Sequence, residues 1–388
     1  MKRLRPAQRA KLSPDTEHLL RLAQGLGHSS SRIEDAYWTA RLSALVEQRL
    51  KDQDEATLIA ALDQLYGNNN RAYDALADMV EAACESRQGK DGVDQLLFVA
   101  PVMAWSRYSI PSGGIQREAL ANARVQLAAH VFARDVRLGL ADFLYSPDQL
   151  PQSYCDTHAL TEKLVKAALH NRELHIDPKL APQTTNFLSD TRYLIGVACS
   201  PAAGPLFRWQ EDDGDRAQVQ KLWSAQGGEA LRPLFPGCAS ELLLPQSYHA
   251  GCRDADHASR PYSLRASTAF LSTTLNIAPA QLRCVVASYH DQRLEEFRVG
   301  FLLAESGELV HGAVWPLLDG EDDNQEGTVE IETLLREMGI GEVIVLDHRL
   351  PLEYCDDCGA PLFPNADGES VHAEMPEEQA SAAPRHLH

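Results

Sequence analysis

Three short stretches of the chain each place two potential metal donors three residues apart: Cys155 and His158 in "CDTH", His249 and Cys252 in "HAGC", and Cys355 and Cys358 in "CDDC". Thiolate sulfur and imidazole nitrogen are the donors zinc takes in tetrahedral sites, and two ligands at this spacing can face one ion from a tight turn. The "CDDCGAP" stretch is the most favourable, because Gly359 follows the second cysteine and relieves crowding behind the turn. No second CxxC is present to complete a shell. The expected remainder is His372, or a pair borrowed from a neighbouring stretch, which would make a Cys3His set of His249, Cys252, Cys355 and Cys358. The plainer alternative, two unliganded side chains in a turn, stays open for each pair.

All three pairs follow one motif, Leu-Pro-x-x-Tyr: "LPQSY" from Leu150, "LPQSY" again from Leu244, and "LPLEY" from Leu350. Pro151, Pro245 and Pro351 cannot donate to a sheet ladder, so each suits the end of a strand. Tyr154, Tyr248 and Tyr354 can each pack a ring while hydrogen-bonding the hydroxyl. A strand-terminating turn accounts for the Leu, Pro and Tyr but not for the donors behind them. Around Cys355 and Cys358 the stretch resembles one knuckle of a zinc ribbon or treble clef, and the likeness is confined to that stretch.

The elements that must carry these turns fall into two regimes. Residues 1–90 read as an all-helical domain. Ser31 and Glu34 have capping-box spacing, Trp38, Leu42, Leu45 and Val46 recur at helical intervals, and Leu58, Ile59, Leu62 and Leu65 repeat the pattern before the turn "GNNN". Beyond it, "QLLFVAPV", "RYLIGVAC" and "RCVVASY" read as buried strands. Each opens a unit of strand, helix-like segment, second strand and Leu-Pro-x-x-Tyr turn. The expected fold is therefore mixed α+β, an all-helical N-terminal domain followed by a triplicated strand-helix-strand body. The expected repeats span 91–190, 191–280 and 281–378, the third carrying the CxxC turn, with a disordered tail at 379–388. Cys84, Cys199, Cys238 and Cys284 lie in apolar segments and read as small core residues.

Composition narrows the function. With 36 basic against 55 acidic residues the formal charge is −19, unsuited to broad neutralisation of nucleic-acid phosphates. Residues 305–388 hold 20 acidic and three basic residues, whereas "MKRLRPAQRAK" holds five basic and none acidic. No secretory signal core follows that arm, and no apolar run reaches the roughly 18 residues needed to span a bilayer. The expectation is a cytoplasmic protein without a membrane or nucleic-acid partner. There is no P-loop, G-x-G-x-x-G, G-x-S-x-G or H-E-x-x-H motif. "IPSGGIQRE" reads as a turn shaped by its glycines. "DGEDDNQEGTVE" sets Asp319, Glu321, Asp323 and Glu330 at EF-hand positions, but Asn324 stands where that loop needs Gly, so it reads as an acidic helix-capping loop.

"LYGNNNRAYDAL", the repeated "LPQSY" and the closing "EYCDDCGAPLFPN" and "VHAEMPE" together resemble the uncharacterised betaproteobacterial domain-of-unknown-function family DUF2863 over nearly the full chain. The resemblance implies a bacterial cytoplasmic protein and supplies no catalytic residues. With no poised acid, base or nucleophile identifiable, the leading expectation is a noncatalytic scaffold that binds a protein or small-molecule ligand and contains structural zinc. The alternative is a zinc-dependent hydrolase with Asp356, Asp357 or Glu374 as base. A third reading makes the helical domain a partner-docking adaptor with an exposed apolar groove. The segment "QASAAPRHLH" is small and polar, so deleting Gln379–His388 should leave the melting temperature nearly unchanged in a thermal scan; a large drop would show that it docks.

Overall fold

The computed structural model describes residues 12–89, 92–318, 321 and 326–376. The basic arm, the tail from residue 379, and the acidic positions Asp319 and Asp323 lie outside the described residues. The fold is mixed α+β, as expected, with the helices leading.

Helices α1 (Pro14–Gly27), α2 (Arg32–Lys51), α3 (Glu55–Leu65) and α4 (Asn70–Glu85) each begin at a polar cap. Ser13, Ser31, Asp54 and Asn69 accept from backbone N–H groups of the first turn that have no intrahelical partner. Their apolar stripes close on one another, burying Leu19, Leu42, Val46, Leu58, Leu76 and Val80.

Next come β1 (Ser86–Gln88), β2 (Val93–Trp105), β3 (Gly113–Gly114), α5 (Arg117–Gln126), β4 (Arg137–Tyr145), α6 (Tyr154–Leu169) and β5 (Ser189–Pro201). They are followed by α7 (Arg216–Leu222), α8 (Gly228–Leu231), β6 (Ala239–Leu242), β7 (Gln246–Ser247) and α9 (Tyr248–Leu275). One antiparallel sheet runs β1-β2-β5-β4-β3, with β6 and β7 also on β2. Its spine is the pairing of β2 with β5 from Val93↔Pro201 to Trp105↔Ser189. Phe98, Leu140 and Leu194 face one core with Trp223, while Leu97, Val99 and Ile195 face another with Leu164 and Tyr248. Because both faces are covered, the strands read as unbroken apolar runs rather than as alternation.

The second sheet contains β8 (Leu282–His290), β9 (Leu294–Leu303), β10 (Leu309–Pro316) and, after α10 (Glu326–Glu337), β11 (Glu342–Val345), in the order β10-β9-β8-β11. The short β12 (Leu350–Pro351) continues parallel to β8, and β13 (Phe363–Pro364) pairs with β14 (Ser370–Val371) as a separate hairpin.

The strands lie where the apolar runs put them, but their pairing differs from three self-contained units. The units expected at 91–190 and 191–280 share one sheet, and each second strand pairs with the other unit's first strand: β4 with β5, β6 with β2. In the region 281–378, β11 instead lies parallel to its own β8. The Leu-Pro-x-x-Tyr turns divide the same way. The first two lead into α6 and α9, whose first residues are Tyr154 and Tyr248. The third places Leu350 and Pro351 in β12, and no helix follows among the described residues. Backbone pairing is set by which edges meet, and a local motif does not encode that.

The two helix-starting turns attach the sheet to the helical bundle. Glu55 accepts from the N–H groups of Tyr154 (3.1 Å) and Cys155 (2.8 Å), and Glu85 from that of His249 (2.9 Å). Each carboxyl thus meets unpaired donors at the positive end of a helix dipole. Glu55→Ala and Glu85→Ala should each lower stability by about 1–2 kcal/mol in urea titrations. Glu55→Gln, which keeps an acceptor, should cost less; equal losses for Ala and Gln would contradict the capping role.

Candidate metal centre

Cys355 and Cys358 sit on a loop that leaves β12 and returns on itself at Tyr354↔Pro361. The Cys355 N–H donates to the Ala360 carbonyl (2.7 Å) and the Gly359 N–H to the Cys355 carbonyl (2.8 Å), closing a tight turn around the two thiols. Gly359 has φ +72°, in the left-handed region where a side chain is strained. The β13–β14 hairpin then brings His372 back, so that its Nε2 lies 3.3 Å from the Cys358 Sγ. One donor atom each from Cys355, Cys358 and His372 lies within 4.8 Å of the others. The other His372 nitrogen, Nδ1, is 3.7 Å from the Glu374 carboxylate, the carboxylate–histidine arrangement that orients metal-binding imidazoles. Backbone N–H groups of the turn and the neighbouring Cys358 hold the Cys355 thiol below the usual range for a cysteine, favouring the thiolate a metal requires.

The loop is positioned by residues that motif reading passes over. Arg298 of β9, fully buried, donates to the carbonyls of Glu353 and Leu362 at 2.7 Å each and so fastens both ends of the loop. Its guanidinium lies 4.3 Å from the ring centroid of Tyr289 and 5.0 Å from that of Tyr354. Tyr354 therefore packs an arginine here, whereas its counterparts Tyr154 and Tyr248 begin helices. The hairpin lies so close to the sheet that a Cβ on Gly300 would stand 2.2 Å from the Pro364 oxygen, and one on Gly312 2.3 Å from the Phe363 ring. The available sequence signals were a charge and two glycines inside otherwise apolar strands.

The other expected ligands do not join this group. His249 and Cys252 lie in the first turn of α9 beside Glu85, and the pocket wall near Cys358 includes Ser267 of the same helix. Eighteen residues of helix separate His249 from Ser267, about 27 Å. The Cys3His set drawn from the second and third turns therefore does not assemble. Burial pushes the Cys155 and Cys252 thiols up to about 12, which disfavours thiolates. His158 is buried with its Nε2 2.8 Å from the Arg87 guanidinium, so it accepts a hydrogen bond as a neutral ring. The first two Leu-Pro-x-x-Tyr turns approach each other, with the Tyr154 and His249 rings 6.1 Å apart. In the acidic segment, Glu321 pairs with Arg260 at 2.7 and 2.9 Å and Glu330 lies in α10.

Cys358 and His372 help to line a cleft of about 770 Å³, together with Phe187, Ser263, Ser267 and His311. His311 is buried, with Nε2 3.0 Å from the Ser267 hydroxyl. The fold and this centre define a mixed α+β protein with a Cys2His cluster that could hold a metal ion at the mouth of a cleft. The chain belongs to the family described as Protein of unknown function (DUF2863), whose model matches residues 4–386. No curated protein and no solved structure matches the chain. Among the described residues, no helix is long and apolar enough to cross a membrane.

Buried His158 and half-buried His249 imply a pH dependence. Burial, chiefly, lowers both His158 and His249 from the ordinary 6.5. Above that value both are neutral whether folded or unfolded, so stability is at its full value. As pH falls through 6.5 towards the folded values, the unfolded chain takes up protons that the folded one refuses, and stability drops. Glu85, raised from 4.5 by burial, opposes this, gaining stability as pH falls from its folded value towards 4.5. Replacing both His158 and His249 with Gln should therefore flatten the loss in urea midpoint between about pH 7 and pH 5.5. An unchanged slope would remove these rings as its source.

Proposed function

We propose that this protein is a noncatalytic binding scaffold whose C-terminal loop is stapled by one zinc ion held by Cys355, Cys358 and His372. The observation that carries this reading is the convergence of those three donors within 4.8 Å from two separately anchored segments, the turn and the hairpin. Two thiolates and an imidazole make a soft set that suits zinc over magnesium or calcium. A bound ion would cross-link the turn to the hairpin and so hold one wall of the cleft, which is where we place the protein or small-molecule ligand. With its acidic charge, the chain favours a partner other than nucleic acid, and we assign it to the cytoplasm, where such thiols stay reduced.

A metal-dependent hydrolase is the second reading, and the opening of the donor cluster onto the cleft favours it. Three protein ligands would leave a fourth position for water, with Glu374 beside His372 as a nearby carboxylate. Coordination separates the two: an exchangeable water on the ion supports the hydrolase, and a fourth protein ligand supports the scaffold.

Protein purified without an affinity tag or added metal should contain about one zinc per chain by elemental analysis. Replacing both Cys355 and Cys358 with Ser should remove that zinc and expose the segment around 353–376 to protease. If the thiols bind no metal, the same change at this exposed turn should shift stability by only about 1 kcal/mol. Wild-type protein with far less than one zinc, and a double variant equally resistant to protease, would end the zinc reading.

A further inference from the structure

Two donors of the candidate metal centre, Cys358 and His372, belong to the wall of the cleft of about 770 Å³, and Cys355 does not. An ion held by the three would therefore border the cleft. Among the described residues, no fourth His, Cys, Asp or Glu places a donor atom with them. Zinc takes four ligands, so three protein donors leave one position for a molecule that enters from the cleft.

Charge decides which donor suits that position. The thiolates of Cys355 and Cys358 cancel the two positive charges of zinc, and His372 binds as a neutral ring. A further anion would leave the centre negative. Among the described residues the cleft wall holds no Lys or Arg to offset it. Asp356 and Asp357 stand between the two cysteines in the chain, and the Glu374 carboxylate lies 3.7 Å from His372. A neutral nitrogen donor adds no charge and completes a set of two sulfurs and two ring nitrogens, one of those zinc takes in structural sites. The wall indicates what the donor is attached to. Phe187, Leu188, Val314 and Phe363 are apolar, Asn186 and Ser263 beside them are uncharged, and no Asp or Glu lines the space. Such a wall suits an uncharged, largely apolar body.

We propose that the cleft binds a small neutral heteroaromatic molecule, an imidazole-type ring on an apolar body, whose ring nitrogen takes the fourth position on the zinc. The inference rests on the three-donor zinc site that both readings above share, and it names a ligand class that neither assigns. The lone pair of the unprotonated ring nitrogen forms the coordinate bond, with no redox step and no proton lost from the ring. The cleft volume falls in the range of small-molecule sites, roughly 300–1,000 Å³.

The test uses the full chain, loaded with zinc for calorimetry and with cobalt for visible spectra. N-benzylimidazole and N-phenylimidazole are titrated against N-benzylpyrrole and N-phenylpyrrole, which have the same shape but no free ring lone pair. Phenylacetate and benzyl mercaptan serve as donors that bind as anions. At least one imidazole should bind about tenfold or more tighter than its pyrrole and than either anionic donor, and should shift the cobalt absorption bands. Chelator-treated protein should lose that preference. Ser263→Phe, which narrows the cleft without altering a donor, should keep the metal and lower imidazole affinity about tenfold. Phe187→Ala, at an exposed position of the wall, should lower it about threefold. Circular dichroism and elemental analysis check the fold and metal content of both variants. Protein that takes up neither zinc nor cobalt ends the zinc reading and this inference together. Protein that holds one metal per chain but binds imidazole and pyrrole equally, prefers an anionic donor, binds no imidazole up to roughly 10 mM, or keeps its cobalt bands unchanged overturns this inference alone. So does unchanged imidazole affinity in either variant that folds and holds metal.

Discussion

Helix α9 is the member on which the rest of the arrangement depends, and the bond from the His249 N–H to Glu85 is what anchors its start. At 28 residues the helix is about 42 Å long. Its first turn meets the helical bundle, its middle packs on β2 and β5, and its last turns reach β10 and α10 of the second sheet. Pro261 interrupts its hydrogen-bond ladder, and the following stretch still buries Tyr262, Leu264 and Phe270. The helix therefore sets the distance between the two sheets, and the cleft is the space that this spacing leaves open.

The candidate metal centre is built on a second constraint, the buried guanidinium of Arg298. A fully buried cation is costly unless it is paired, and here Nε donates to Glu296 at 2.6 Å and one terminal nitrogen to two carbonyls of the metal loop, while the other, buried, has no partner among the described residues. The loop thus satisfies the arginine while the arginine fixes the loop. An ion across Cys355, Cys358 and His372 would add a cross-link to a turn already tied at both ends, so its contribution would fall mainly on the hairpin and the cleft wall.

The three Leu-Pro-x-x-Tyr turns show how one local pattern takes different roles. In the first two, Ser153 and Ser247 stand at the start of a helix, and the following donors fall in its first turns, Cys155 and His158 buried and His249 and Cys252 half-buried. There, loss of hydration keeps thiols protonated and imidazoles neutral. In the third, the turn follows β12, stays near solvent, and closes through Gly359, so its thiols remain available. The difference is burial and backbone course, not residue type.

Much of this protein was determined by its sequence alone. The helical N-terminal stretch with its Ser31 cap, the apolar strands and the Cys355–Cys358 knuckle with His372 as a further donor all depend on interactions within a few residues or on hydrophobic periodicity. The family followed from the same stretches. Tertiary structure decided which strands pair, which donors meet and which buried charges find partners. The sequence could not show that β4 and β6 cross to the other unit's central strand, because strand edges carry no partner label. Nor could it show that Arg298, Gly300 and Gly312 seat the loop of Cys355 and Cys358, or that Arg192 and Arg260 find acids. Those outcomes depend on residues far apart in the chain, where only the packed fold sets the distances.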